Sequence, residues 1–229
     1  IRVSFLVVGG AGAALLFVAA FVFRRPPGAQ SADAPTVDLP WLRSLLGDSR
    51  FLAAWVGLVF CWAWYFVLSA GMVEILTTAG IGRSIAATAF GLVGGVSIAS
   101  RVASGGLADR IGPRETLAGG VGLTAIGLFV LAVAAAVPTM YVALVTFGAG
   151  LGAIATLYAP VVIRAFGPEN ATAVAGVFTF CSAVSGFIAP VAVDALASVT
   201  GGYAVPLTVL GALTILGAGL FYWGTDPVA

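Results

Sequence analysis

The sequence predicts an all-α polytopic membrane protein with about seven transmembrane helices. Of its 229 residues, 61% are hydrophobic and only 8% are charged, a balance outside the range of soluble domains. The apolar residues stand in runs of about 20 or more, long enough to cross about 30 Å of hydrocarbon as a helix. Most of the polar stretches between the runs are short. We expect spans at 3–23, 52–77, 85–107, 116–137, 140–164, 172–197 and 204–223.

The first two spans are joined by a hydrophilic stretch, residues 24–50. Its middle is rich in Pro, Ser and Asp, and this predicts a linker. Its end, PWLRSLLGDSR, predicts either a short helix lying on the membrane surface as a lid, or an irregular connection. In the helical case one side carries Trp41, Leu42, Leu45 and Leu46. The predicted organisation is a single helix at 1–23, the linker at 24–50 and a six-helix bundle at 51–229.

The basic residues, all ten of them arginines, indicate the orientation. Seven fall in loops that the alternation of spans places on one face, and two fall on the other face. Cytoplasmic loops carry the excess of positive charge. We therefore expect the basic face and the C-terminus in the cytoplasm, with the chain in a bacterial plasma membrane. The seven are Arg24, Arg25, Arg43, Arg50, Arg110, Arg114 and Arg164, and the two are Arg2 and Arg83.

Composition argues against several classes of protein. A net charge of +1 argues against the strongly basic surface that proteins use to bind nucleic acid. The chain has no histidine, acidic ligand cluster or nucleophile–base pair at usable spacing, so we expect no enzyme, metal site or cofactor. Cys61 and Cys181 lie in apolar runs, which favours small buried side chains over a disulfide. A seven-helix receptor remains the alternative of another class, although a chain without lysine cannot form a retinal Schiff base.

A charged turn, SRVASGGLADRIGPRE at residues 100–115, separates two of the spans. Gly112-Pro113 breaks the chain and starts the next helix, and Glu115 lies in its first turn, where the helix dipole favours an acid. The turn has the spacing G-x-x-x-D-R-x-G-x-R. This spacing resembles the signature loop of the major facilitator superfamily, although Pro113 stands where that family has a basic residue. The resemblance implies a conformational gate that latches one state of an alternating-access transporter, formed by Gly105, Asp109, Arg110, Gly112 and Arg114.

The position of this turn indicates which part of such a transporter the chain represents. Three spans, with a basic linker after the first, precede the turn and four spans follow it, so the resemblance implies helices 6–12 of a twelve-helix fold. Similarity between residues 2–16 and 203–217 agrees with its parallel repeats. The chain begins with Ile inside an apolar run, and we expect the missing N-terminal half as a partner within the bilayer.

A second stretch narrows the resemblance. PVVIRAFGPENATAVAGVF, residues 160–178, is similar to the helix 10–11 junction of the monocarboxylate and oxalate/formate branch. That branch implies symport or antiport of a small organic anion, with a monocarboxylate favoured over oxalate because residues 172–197 contain no cation. Proton coupling is a further expectation. Transport of an unrelated small solute or drug efflux is the alternative.

Arg101 is the candidate substrate ligand. It lies eight residues before Asp109, about 12 Å deeper along the helix. An arginine in the bilayer costs at least about 2.5–3.5 kcal/mol and usually faces a cavity or a partner. Its planar fork matches a carboxylate, and snorkelling to the surface is the alternative. Arg101 also matches the arginine that binds the substrate carboxylate in the branch named above. Ser97, one turn earlier on the same face, is a second candidate for binding the substrate, and it stands where monocarboxylate carriers often have an aspartate.

Other candidates come from spacing alone. Trp62 and Tyr65 lie on an aromatic face of span 52–77 and would line a substrate cavity, with ordinary packing as the alternative. Glu74 and Asp194 lie at the outer boundary of their spans, where proton coupling competes with a simple preference of acids for the interface. Close helix packing is predicted at Gly91, Gly95, Gly148, Gly150 and Gly152.

Overall fold

The computed structural model describes residues 14, 17 and 18, 39–134, 136–166 and 171–226. The chain divides into two compact units, Ile1–Asp38 and Leu39–Ala229. In the first unit Ala14, Phe17 and Val18 are described, and they are helical. Most of the predicted span at 3–23, the arginines at 2, 24 and 25, and the Gly-Pro-Glu of the 160–178 stretch lie outside the described residues.

The described part of the second unit is entirely helical, which confirms the predicted fold class. Six helices are long and apolar enough to cross a membrane, and they match the six predicted spans after the linker. The ends differ by a few residues; the predicted span at 116–137, for example, stops at Ala132. In chain order the helices are α1 (Leu39–Gly47), α2 (Ser49–Thr78), α3 (Arg83–Ile111), α4 (Pro113–Ala132), α5 (Val137–Phe166), α6 (Ala171–Thr200) and α7 (Ala204–Gly224).

The predicted short helix before the bundle is present as α1. Trp41 and Leu45 are partly buried against the core, whereas Leu46 is 51% exposed. The irregular alternative is therefore wrong for residues 39–47. Asp48 then caps α2, because its carboxylate accepts a hydrogen bond from the backbone N–H of Arg50 at 2.8 Å.

The turn between α3 and α4 breaks where the sequence predicts it. Gly112 has φ of 102°, a conformation that favours glycine, and it both ends α3 and precedes α4. Pro113 occupies the first turn of α4, where a missing N–H costs nothing. The carboxylate of Glu115 folds back against Gly112, at the positive end of the helix dipole.

The spans alternate in direction, so the bundle has two ends. The basic end carries Arg50, Arg110, Arg114 and Arg164, and the opposite end carries Glu74, Arg83, Asp194 and Tyr203. Helix α5 packs against α3 and α4, α7 packs against α2 and α4, and α6 packs mainly along α2. The spans least covered by the described residues are α3 and α6.

Aromatic rings and glycines fill the contacts between helices. Trp64 stacks on Phe147 with ring centroids 5.4 Å apart, joining α2 to α5. The predicted close packing is confirmed on α5, where an added Cβ would meet Val93 from Gly148 at 2.9 Å and Arg101 from Gly152 at 2.8 Å, both at backbone atoms. Gly91 and Gly95 of α3, by contrast, have no described atom within 4 Å of such a Cβ. Cys61 and Cys181 are buried free thiols, as predicted.

Candidate functional site

A cavity of about 270 Å³ lies between α2, α5 and α6, level with the middle of α2. Trp62 and Phe66 of α2 and Tyr158 of α5 supply its aromatic walls. The Trp62 ring is edge-on to Tyr158 at 6.2 Å between centroids, and 6.4 Å from Phe66. Thr179 and Ser182 of α6 add hydroxyl groups, and the Thr179 Oγ1 lies 3.3 Å from the Tyr158 hydroxyl. The described walls hold no charged side chain, and such a cavity suits a small ligand, or part of one, that is largely apolar.

The two aromatic residues predicted for the site take different places. Trp62 lines the cavity, whereas Tyr65 is absent from its described walls and packs behind Trp62. The Tyr65 ring lies 5.9 Å from Trp62, 5.3 Å from Phe66 and 5.9 Å from Phe90. Tyr65 therefore holds the ring of Trp62 in position.

Sequence reasoning missed the walls contributed by α5 and α6. Tyr158 carries no spacing signal that relates it to Trp62, since their contact spans 96 positions of the chain. Thr179 and Ser182 are three residues apart and so share a face of α6, which was a usable signal. The spacing shows that the two hydroxyls share one face of α6, but it does not show which helix lies opposite that face.

Arg101 lies on α3, ten residues before its end at the basic end of the bundle, or about 15 Å along the axis. Its side chain is exposed, and among the described residues it has no hydrogen bond or ion pair. Its backbone lies against Gly152 of α5, and Ala155, three residues further along α5, lines the aromatic cavity. The arginine and the cavity are thus about one helical turn apart along α5.

Ser97 is placed differently from Arg101. It is only 5% exposed, and its hydroxyl donates to the carbonyl oxygen of Gly94 at 2.7 Å, within its own helix. The face of α3 that contains both residues is covered by a neighbouring helix at Ser97 and open at Arg101. The nearby Ser100 makes the contact across helices, donating to the carbonyl oxygen of Ala149 at 2.6 Å.

The charged turn forms a clamp centred on Arg114. Its Nη1 makes an ion pair with the carboxylate of Asp226 at 2.6 Å, its Nε donates to the carbonyl oxygen of Tyr222 at 2.9 Å, and its guanidinium lies 3.5 Å from the centre of the Tyr222 ring. Arg50 adds a bond from its Nη1 to the carbonyl oxygen of Asp226 at 3.3 Å. The starts of α2 and α4 are thereby tied to the end of α7.

The other residues of the turn make fewer contacts. Asp109 and Arg110 are exposed and form no hydrogen bond or ion pair with the described part of the chain. Gly105 has no described atom within 4 Å of an added Cβ. The gate predicted from these residues stays a prediction, and the contact in place is the Arg114 clamp.

The two acids predicted for proton coupling meet near one tyrosine at the opposite end. The Tyr203 hydroxyl donates to Oδ1 of Asp194 at 3.3 Å. Burial, together with the charges of Asp194 and Glu74, raises the pKa of Tyr203 to about 12. The hydroxyl therefore keeps its proton at physiological pH and donates it to the Asp194 carboxylate. Glu74 also lines a cavity of about 520 Å³ that it shares with Arg83.

Six long apolar helices of alternating direction, with an aromatic cavity in their middle, define a multi-pass helical membrane protein. The sequence model of the Major Facilitator Superfamily matches residues 1–190, and the chain belongs to that family. The family consists of membrane transporters rather than enzymes, so this protein is a membrane transporter. No curated protein matched the chain in a search for relatives.

Proposed function

We propose that this transporter carries a small organic anion, first of all a monocarboxylate, by alternating access. The observation that carries the proposal is Arg101, a cation within an apolar span that has no partner among the described residues. A charge in that position is costly unless a counter-charge or water meets it. A carboxylate supplies that counter-charge in the planar geometry that guanidinium recognises.

The aromatic cavity accounts for the rest of such a substrate. It lies one turn along α5 from Arg101, and its described walls bear rings and hydroxyls without charge. A carboxylate held by Arg101 would leave a short carbon body directed to Trp62 and Tyr158, with Ser97 supporting α3 from its buried side. The similarity of residues 160–178 to the monocarboxylate branch supports the same substrate class.

The proposed cycle uses both ends of the bundle. The basic end faces the cytoplasm, in line with the excess of arginine there. The proposed organisation keeps the predicted helix at 1–23, the linker at 24–50 and the bundle at 51–229, and the cycle is a rocking of two halves around the site, as in other transporters built from repeats. Asp109 and Arg110 act with Arg114 as the cytoplasmic gate. Glu74 and Asp194 take part in proton coupling at the opposite end.

The experiment is uptake by the full-length protein reconstituted in liposomes. We expect accumulation of lactate or pyruvate that rises with an inward proton gradient. Arg101→Ala should lower uptake by at least tenfold, and Arg101→Lys should retain part of it. Arg43→Ala, which removes an exposed arginine of α1 that has no hydrogen bond or ion pair among the described residues, is the control and should leave uptake unchanged. Absence of uptake by the full-length protein, or uptake that survives Arg101→Ala, would contradict the substrate class.

A second candidate is an uncharged solute or drug, favoured by the uncharged described walls of the cavity. Transport of such a solute would depend on Trp62 and be indifferent to Arg101. The same pair of variants, Trp62→Ala and Arg101→Ala, separates the two candidates when both solute classes are assayed.

A further inference from the structure

Three side chains with hydroxyl groups stand together on the α5–α6 side of the aromatic cavity. Tyr158 comes from α5, and Thr179 and Ser182 come from α6. Thr179 and Ser182 are three residues apart and therefore share a face of their helix. The cavity thus has an aromatic wall on α2, formed by Trp62 and Phe66, and a wall that carries oxygen atoms on α6.

The proton of each α6 hydroxyl is already used within the helix. Thr179 donates to the carbonyl oxygen of Ala175 at 2.8 Å, and Ser182 donates to the carbonyl oxygen of Thr179 at 2.7 Å. A serine or threonine hydroxyl has one proton and two lone pairs. Both oxygens can therefore only accept further hydrogen bonds, and no described group donates to the oxygen of Ser182.

The contact between Tyr158 and Thr179 follows from the same count of protons. The two hydroxyl oxygens are 3.3 Å apart, and the tyrosine is the donor because the Thr179 proton is engaged at the shorter distance. The separation is longer than usual for two hydroxyl groups, so the bond is weak. The α5–α6 wall therefore presents lone pairs, and no spare proton from these three groups, to whatever occupies the cavity.

A side-chain donor without a described partner lies on the α2 wall. The indole N–H of Trp62 makes no hydrogen bond with the described part of the chain, and its ring is edge-on to Tyr158 at 6.2 Å between centroids. The neighbouring Phe66 has no polar side-chain atom. An occupant that suits both walls has to give a proton towards α6, and it can accept one from the indole.

A hydroxyl group on the carbon body of the solute meets this demand, because it both donates and accepts. A carbonyl oxygen only accepts, so it would place an acceptor against the lone pairs of Thr179 and Ser182. A methylene group would displace water from these oxygens and leave them unpaired. An ammonium group would donate, but the described walls hold no carboxylate to pair with its charge.

We infer that the aromatic cavity selects solutes that carry a hydroxyl group beside the carboxylate, and that Thr179 and Ser182 determine this specificity. The inference rests on the proposed function, in which Arg101 holds the carboxylate about one helical turn away along α5. The transporter then prefers a 2-hydroxy monocarboxylate to the 2-oxo acid and to the unsubstituted acid of the same chain length. Hydrogen bonds that the other two acids leave unmade account for the preference, since the three differ little in size.

Uptake by the full-length protein in liposomes tests the inference with lactate, pyruvate and propionate. We expect the KM of the wild type for lactate to be about tenfold lower than the KM for propionate, and lower than the KM for pyruvate. In the double variant Thr179→Val/Ser182→Ala the KM for lactate should rise to that for propionate, while the KM for propionate stays the same. Propionate uptake also shows that the variant is folded. Thr179→Val alone, which keeps the side-chain shape, should lose much of the preference and gives the answer if the double variant does not fold.

Two control variants remove hydroxyls that make the same local bonds but lie outside the described walls of this cavity. Thr208→Val removes a hydroxyl that, like that of Thr179, donates to the carbonyl oxygen four residues earlier at 2.8 Å. Ser198→Ala removes one that, like that of Ser182, donates to the carbonyl oxygen three residues earlier at 2.7 Å. Both controls should keep the preference for lactate.

The outcomes separate this inference from the proposed function. The inference is overturned if uptake depends on Arg101 but the wild type has equal KM values for lactate and propionate, or prefers pyruvate. A preference for lactate that survives both Thr179→Val and the double variant, or that is lost in either control, overturns it as well. In these cases the proposed transport of monocarboxylates stands. Absence of uptake of all three acids contradicts the proposed function itself, and the inference falls with it.

Discussion

Arg114, at the start of α4, and Asp226, beyond the end of α7, are joined by an ion pair of 2.6 Å although 112 positions separate them in the chain. The Arg114 side chain is only 14% exposed and Asp226 is 49% exposed. The same guanidinium also bonds to the carbonyl oxygen of Tyr222 and lies over its ring. One arginine thus makes most of the polar contact between these two helix ends.

Removing this arginine should destabilise the bundle. For Arg114→Ala we expect a loss of about 1–2 kcal/mol, discounted for the exposure of Asp226. Arg114→Lys should lose part of it, since an ammonium group cannot form the same fork. Thermal unfolding in detergent measures the effect. The control is Arg110→Ala, an exposed cation of the same turn without a described contact; an equal loss there would show that charge in the turn, rather than the clamp, stabilises the bundle.

Three hydrogen bonds join α2 to α6, and the contribution of each to stability should be measurable. They run from Trp55 to Val177, from Cys181 to Trp55 and from Ser185 to Val59. Ser185→Ala removes the hydroxyl that bonds to Val59 and should cost about 0.6–2 kcal/mol, the range for hydrogen bonds between membrane helices. Ser198→Ala removes a hydroxyl that bonds only within α6, to Ala195, and should cost less. Denaturation in mixed micelles gives both values. Equal costs for the two serines would mean that the bond between the helices adds no more stability than a bond within one helix.

Substitution by alanine should have opposite effects on stability at two glycines, one on α5 and one on α3. Gly152→Ala places a Cβ against the backbone of Arg101 and should cost about 1–3 kcal/mol by overpacking. Gly95→Ala has open space within the described residues and should be neutral, or stabilise by about 0.5–1 kcal/mol through helix propensity. The stability of each variant relative to wild type is measured by thermal unfolding in detergent. A destabilised Gly95→Ala would place a further helix against that face of α3.

Tyr203 should lose its proton at a higher pH than an ordinary tyrosine. Its pKa is raised from 10.0 to about 12, first by burial and then by Asp194 and Glu74. Because the pKa of the folded state is the higher one, its contribution to stability is complete below pH 10 and is lost as pH rises towards 12. The difference in phenolate absorbance between wild type and Tyr203→Phe gives the midpoint. Asp194→Asn should lower it only in part, since burial remains; a midpoint at the ordinary tyrosine value in wild type would contradict this environment.

If the proposed function holds, the cavity wall should set affinity. Trp62→Ala removes a ring that faces the cavity and should raise the KM for the carried solute by about tenfold, a loss near that of one buried aromatic contact. Trp223→Ala removes a ring that is 51% exposed on α7 and should leave the KM unchanged. Initial uptake rates across solute concentrations provide both values. A KM that Trp62→Ala leaves unchanged would mean that the solute binds outside this cavity.

The spans could be predicted because bilayer thickness fixes the length of an apolar run, whichever residues compose it. The break at Gly112-Pro113 could be predicted because it depends on local backbone chemistry. The residues of other helices that pack against a given side chain could not be predicted from the sequence. Ser97 and Arg101 have the same helical spacing as any pair on one face, yet α3 is covered at the first and open at the second. Likewise, Trp62 was a candidate from its own helix, while Tyr158 and Thr179 became its neighbours only through packing.

The arrangement of α7 has a consequence for biosynthesis. Helix α7 packs against both α2 and α4, and Asp226 beyond its end bonds to Arg50 and Arg114 from positions 176 and 112 residues later in the chain. While the ribosome is still producing α5 and α6, the surfaces of α2 and α4 that later contact α7 are not yet covered by it. The insertion machinery or transient lipid must cover them until α7 arrives. The clamp can form only after α7 has been synthesised, and it then ties the end of α7 to the starts of α2 and α4.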